Sequence, residues 1–320
     1  MIMARSRCAS LYIGRYMGQR LLQAAFVLWL ASTLVFFALL LTPGDPAQAL
    51  LAASGATPEE VIERRAQLGL DDPLPLQYTR YLMDLARGDL GYSWLHGRSV
   101  RHMILEQLPP TAELAVAATA VGVVLGLGLG VLAAVYRSTW LDAAATTVAV
   151  LGLSTPTYWS GLLAILFFSL RLRWLPSVGE GGLRHLVLPS LVLGFALSGS
   201  IARMVRSRVA EVMGTPFVLA ARARGIPSRR VIFIHVLRAA VGPALAVTAL
   251  QFGFLLGGAV VTESVFARPG LGRLAVEAII WQDLPVVRGV ALVGALAYVL
   301  VNLASDLAQA WLDPRLRALA

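Results

Sequence analysis

Thr215-Pro216-Phe217-Val218-Leu219-Ala220-Ala221-Arg222-Ala223-Arg224-Gly225-Ile226-Pro227-Ser228 lies within a basic stretch, Arg203 to Arg238, between two apolar runs each long enough to cross a bilayer. The stretch holds eight arginines against one acid, Glu211. Such a segment belongs on the cytoplasmic side of a membrane. Its local signals predict a short, sharply bounded helix over Phe217 to Arg224. Thr215 suits an N-cap, Pro216 the first helical position, and Gly225 the position just past the end. Pro227 stops the helix and Ser228 can cap the next one. A rigid helix outside the membrane, joined to spans on both sides, suits the reception of force from another molecule.

Composition points the same way. Of the 320 residues, 58% are hydrophobic and only 14% charged, where soluble domains carry about 25% charged residues. With a mean hydropathy of +0.72, the chain is a polytopic membrane protein. Its net charge of +9 comes from 27 arginines and no lysine, a bias read as base composition. These arginines sit beside apolar runs, which argues against nucleic-acid binding. Cys8 is the only cysteine, which rules out an intrachain disulfide or a cysteine metal cluster. Arg15 and Arg20, with Ala47-Gln48-Ala49 downstream, resemble a secretory signal. However, the run Leu21–Leu41 exceeds a signal core of about 7–15 residues, and a retained first span is expected.

Six spans are predicted: Leu21–Leu41, Thr111–Val135, Ala143–Leu170, Leu186–Val205, Val241–Val261 and Val290–Leu312. Pro156 should kink or break the third. The fourth, with Pro189, Ser198, Ser200 and Arg203, should face protein rather than lipid. Fifteen arginines fall on one side and twelve on the other, and six of the twelve lie in a long acidic loop that counts little in orientation. Both termini are therefore placed inside. The organisation becomes a cytoplasmic arm (1–20) and a membrane domain (21–320). That domain carries a structured outer loop (42–110) and a cytoplasmic segment (206–240). Within the loop, Thr57-Pro58-Glu59-Glu60 reads as a capping box opening a helix that Gly69 closes, and a second helix is predicted from Leu76 to Arg87, closed by Gly88. This outer cap either meets another protein or shields the mouth of a pathway.

Ala118, Gly122, Gly126, Gly130 and Ala134 recur every four residues and form a small-residue stripe for close helix packing. The Gly126-Leu127-Gly128 run has no preceding strand, so it is not a dinucleotide loop. Gly253 and Gly257 allow a second close contact. Ser198, Thr248 and Gln251 are polar positions inside spans. They either line a pathway or form interhelical hydrogen bonds. Asn302 and Asp306 are the polar pair of the sixth span. The four histidines lack metal-ligand spacing and no lysine-bearing phosphate loop exists. No metal site, catalytic set or cofactor site is expected, so any energy spent on transport is spent by another subunit.

Ala220 to Gly225, followed by His235-Val236-Leu237-Arg238, resembles the "EAA" signature of binding-protein-dependent ABC importer permeases. More motifs resemble the first permease subunit of dipeptide, oligopeptide, nickel and glutathione importers. They are Leu41-Thr42-Pro43-Gly44-Asp45-Pro46, Leu68-Gly69-Leu70-Asp71, Arg87-Gly88-Asp89-Leu90-Gly91-Tyr92-Ser93, Glu263-Ser264-Val265-Phe266 through Pro269-Gly270-Leu271-Gly272, and Asp313-Pro314-Arg315. Leu219 occupies the signature's leading Glu position, as is common in the peptide branch.

The resemblance implies an all-α, six-helix type I (MetI-like) permease fold in a bacterial or archaeal plasma membrane. It implies a homologous second permease, two cytoplasmic ATPase subunits that bind the ATP and Mg, and an extracytoplasmic substrate-binding protein. Phe217, Leu219 and Ala220 would make the apolar contact with the ATPase, in a signature that includes Ala221. Arg222 and Arg224 would make charged contacts, and Gly225 the turn. Peptides are the expected cargo, with nickel or glutathione as alternatives. A self-sufficient channel or secondary transporter would need paired charges or an inverted repeat at mid-membrane, and neither is evident.

Overall fold

The computed structural model describes residues 2–41, 44–51, 57–257 and 259–312. The chain order is α1 (Ile2–Leu40), α2 (Pro46–Leu51), α3 (Pro58–Gln67), α4 (Leu74–Ala86), α5 (Val100–Val135), α6 (Trp140–Ser154) and α7 (Thr157–Ala164). It continues with α8 (Leu183–Met213), α9 (Pro216–Ala223), α10 (Ser228–Arg230), α11 (Leu237–Leu256), α12 (Val260–Val265), α13 (Leu271–Ile280) and α14 (Leu284–Leu312). Segments Ile165–Arg171 and Val231–Val236 are wider π-helical turns. The fold is all-α, as the composition predicts. The motif residues Thr42, Pro43 and Asp313-Pro314-Arg315 lie outside the described residues.

Among the described residues, four helices are long and apolar enough to span: Leu22–Leu40, Val100–Val135, Leu183–Met213 and Leu284–Ala308. Two bent pairs raise the number to as many as six. The third predicted span is broken rather than kinked: α6 and the segment Thr157–Arg171 meet at 103°. Pro156 cannot donate to the helix before it, and Thr155 takes an extended conformation (φ −83°, ψ 122°) as residues preceding proline do. Other boundaries also shift. The second span begins at Val100, because α5 runs through Pro109 and Pro110 instead of starting after them. The fifth ends at Leu256, short of Val261. The arm before Leu21 is helical and continuous with α1.

The chain divides into two compact units, Met1–Gln107 with Leu274–Val299, and Leu108–Arg273 with Leu300–Ala320. In the first, the predicted capping box opens α3: the Glu60 amide donates to Thr57 Oγ1 and the Thr57 amide to Glu60 Oε2. Gly69 and Gly88 close α3 and α4 at φ +65° and +73°. Phe36 of α1 is fully buried against Tyr78 and Tyr81 of α4, and the Arg288 guanidinium lies over Phe36 at 4.6 Å. The buried Asp283 carboxylate accepts from Ser93 Oγ (2.5 Å) and from the amides of Trp94 (3.0 Å) and Leu95 (3.3 Å). Asp45, in the Gly44-Asp45-Pro46 motif, takes the Ala47 amide and pairs with Arg65, which also holds Asp71. These motifs are thus the joints of one small helical unit.

The second unit is built around α8. Gly122, Gly126 and Gly130 of α5 rest on it: a Cβ at Gly126 would lie 2.7 Å from Ile201, and one at Gly130 2.7 Å from the Ala202 carbonyl. The predicted stripe is therefore a helix-packing seam. On another side of α8, a Cβ at Gly199 would lie 2.2 Å from the Ala149 carbonyl of α6, and one at Gly152 2.5 Å from the Phe195 carbonyl. Small residues on both faces let α8 sit between two backbones. Its span window is 61% buried within this chain, as the weak hydropathy of that span leads one to expect. Among the described residues, a Cβ at Gly257 would meet only carbonyls of its own helix, so the contact expected there is not seen among them.

Candidate functional site

The segment after α8 folds much as its residues dictate. Pro216 opens α9, and Gly225 lies just beyond its end at φ +75°. The Ile226 amide donates to the Ala221 carbonyl and the Gly225 amide to the Arg222 carbonyl. That pairing is the Schellman ending, which requires a left-handed residue at Gly225 and satisfies two carbonyls otherwise left open. Ala221 and Ile226 pack against the same core, the apolar contact that accompanies this motif. Thr215 departs from expectation. Its hydroxyl caps no α9 amide and instead donates to the Val212 carbonyl at 2.5 Å, joining α9 to the end of α8.

Two faces of α9 diverge. Val218 is fully buried among Ala134 of α5, Ile201, Val205 and Val209 of α8, and Val231, Val236, Ala240 and Ala244 at the start of the fifth span. Ala221 follows it inward at helical spacing, is half-buried and packs against the same core. The rest of the helix surface stands clear: Phe217 and Leu219, to either side of Val218, are 50% and 57% exposed, with Ala220, Arg222, Arg224 and Gly225 also exposed. One valine thus seats α9 on three spanning elements, and two large apolar side chains stand in the open above it.

The expected pathway residues scatter. Ser198 is fully buried and donates to the Phe195 carbonyl within α8, beside Gly126. The Thr248 hydroxyl returns to the Ala244 carbonyl of its own helix. Gln251 donates to Ser200 Oγ at 3.0 Å, making the interhelical bond between α11 and α8. Asn302 and Asp306 both have partners.

Two polar sites escape a sequence reading. In the first, Arg206 of α8 donates through Nε (2.9 Å) and Nη2 (3.0 Å) to the two oxygens of Asp142 in α6. Asp142 also takes the Ser138 amide (3.1 Å) and the Thr146 hydroxyl (3.2 Å). In the second, the fully buried Glu263 accepts from Thr111 Oγ1 (2.7 Å) and from the Gly272 (2.8 Å) and Arg273 (3.1 Å) amides at the start of α13. The Leu271 amide goes to Thr111 Oγ1. Glu263 therefore supplies the N-terminal cap that α13 needs. Burial pushes its carboxyl above the ordinary glutamate value, against the hydrogen bonds and the Arg268 charge, which favour the ionised form. A Cβ at Gly270 would fall 2.3 Å from that carboxylate, and one at Gly272 2.6 Å from Val260 Cα. The Pro-Gly-Leu-Gly motif leaves room for this cap.

Comparison with known proteins adds independent findings. Residues 126–318 match a model described as binding-protein-dependent transport system inner membrane component, and residues 13–115 match the N-terminal model of such membrane components. A putative peptide transport system permease protein of Brucella abortus (strain 2308) is 40% identical over 307 residues, covering 93% of this chain and 98% of that one. A glutathione transport system permease protein of Escherichia coli (strain K12) is 39% identical over 302 residues, covering 94% and 98%. A solved structure of the MetNI methionine ABC transporter in an inward-facing conformation superposes with a TM-score of 0.56 at 20% identity, over 67% of this chain and 97% of that one.

Proposed function

This chain belongs to the family of binding-protein-dependent transport system inner membrane components, and from that membership we propose that α9 is the element through which cytoplasmic ATPase subunits drive it. It is the membrane-spanning permease component of an ABC importer. Two ATPase subunits hydrolyse ATP, a homologous permease supplies the other half of the pathway, and an extracytoplasmic protein delivers the cargo. Both termini lie in the cytoplasm, with α9.

The observation that carries this reading is the division of α9 into a seated face and an open one. Phe217 and Leu219, exposed on a helix outside the spans, gain by burial in a groove of another protein; full burial of such a side chain is worth about 1.5–3 kcal/mol. Arg222 and Arg224 beside them tune the rate and orientation of docking. A push on the open face reaches α5, α8 and the start of the fifth span together through Val218. ATP binding then biases two arrangements of packed helices, one opening inward and one outward.

Peptides are the cargo class. Relatives named for peptide and for glutathione transport match at 40% and 39% identity, and glutathione is itself a tripeptide.

Gly225→Val tests the lever. A β-branched residue at φ +75° is strained, so the Schellman ending should loosen while the spans remain intact. ATP hydrolysis by the reconstituted importer should persist while peptide uptake per ATP falls about tenfold or more. Wild-type uptake by this variant would remove the lever.

A further inference from the structure

A cavity of about 390 Å³ lies between α5, α6 and α8, within the second unit. Leu129, Ala133, Ala149, Val150 and Ala202 form apolar walls, and Arg203 and Arg206 stand at one end. That end is the α9 end of α8. From Ala145 to Ser154, the two ends of the lining on α6, is nine residues of helix, roughly 14 Å. The hydrocarbon core of a bilayer is about 30 Å thick, so the groove is about one leaflet deep.

The charges decide what fits. Asp142 engages Arg206 through Nε and Nη2 and leaves Nη1 uncommitted. Arg203 is exposed, and among the described residues nothing pairs with it. The polar end thus carries one positive charge beyond the Asp142–Arg206 pair. A zwitterionic peptide would find a partner for its carboxylate but none for its ammonium, because Asp142 is already taken. A molecule with an anionic head and an apolar tail matches both ends.

We propose that this groove is a binding site for an anionic phospholipid of the leaflet on the α9 side, with its phosphate on Arg203 and Arg206 and an acyl chain along α6 and α8. Basic pockets between spanning helices hold such headgroups. The lipid would brace the contact between α6 and α8 next to the joint from which α9 departs.

The test uses the assembled importer, purified with its partner subunits. Native mass spectrometry is run after exchange into mixed micelles holding equal phosphatidylglycerol and phosphatidylcholine. Phosphatidylglycerol should be retained over phosphatidylcholine, and Arg203→Ala should cut that preference about fivefold. Arg203→Lys should keep most of it, which separates charge from misfolding. Val150→Trp, filling the groove from a half-exposed wall position, should reduce retention of both lipids while leaving the arginines in place. Equal retention of the two lipids by the wild type would overturn the proposal, as would an unchanged preference in Arg203→Ala. Displacement of the lipid by glycerol phosphate at equal concentration would make this a site for any anion and would also overturn it. Quantitative crosslinking of Val150→Cys to the partner permease would show a protein in the groove, with the same result. None of these outcomes depends on whether α9 couples to an ATPase.

Discussion

α1 and α8 are both long enough to span, yet they are enclosed very differently. The α1 window has the higher mean hydropathy, 2.1 against 1.7, but only 11% of it is buried within the chain, against 61% for α8. α1 turns Leu22, Phe26, Trp29 and Leu34 outward. α8 carries Gly194, Ser198, Gly199, Ser200 and Ala202 where other backbones approach. In a lipid solvent apolar side chains gain little by leaving the lipid, so enclosure follows small size and a few hydrogen bonds instead. The more apolar helix is therefore the one that faces out.

That contrast can be broken. Gly199→Leu should have the largest effect, since its Cβ would sit 2.2 Å from the Ala149 carbonyl. Overpacking against backbone costs about 3 kcal/mol, the upper end of the usual range. Monodisperse protein should be nearly lost on size-exclusion chromatography. An intermediate effect is expected at Glu263. Its carboxyl titrates above the ordinary value of 4.5 because it is buried, so the folded state holds the proton more tightly than the unfolded one. Stability is then present at low pH and lost as pH rises from about 4.5 through the folded value. Melting temperature should fall over that window in the wild type, and Glu263→Gln should flatten the slope. The smallest effect belongs to α1. Leu34→Ala, at a 61% exposed position, should shift stability by less than about 0.5 kcal/mol in thermal melts. Equal damage from Leu34→Ala and Gly199→Leu would end the comparison.

What a reader of the sequence could see was local or periodic. The Thr57 capping box, the closing glycines at 69, 88 and 225, and the four-residue glycine stripe each declare themselves within a few turns of chain. Pro156 announced a break because its effect falls on its neighbours. What stayed hidden depended on distant partners. Asp142 meets Arg206 across 64 positions, and Thr111 meets Glu263 across 152; no spacing rule joins them. For Ser198 and Gln251 a pathway role and a hydrogen bond were both open, because polarity within a span is visible in sequence whereas the carbonyl or hydroxyl that pairs with it is not. Pro109 and Pro110 suggested a helix start, yet α5 carries them in its interior, where propensity yields to context. At α9 the limits of the helix were legible. That Ala221 turns inward became plain only with the core beneath it.

The cap formed by Glu263 has a consequence for how such a chain can change over generations. Gly270 and Gly272 leave no space for a methyl group while the carboxylate is in place, and Thr111 is bonded to both the carboxylate and the amide beside it. Replacing any one of the four first strands the other three, so drift at these positions is blocked unless several alter together.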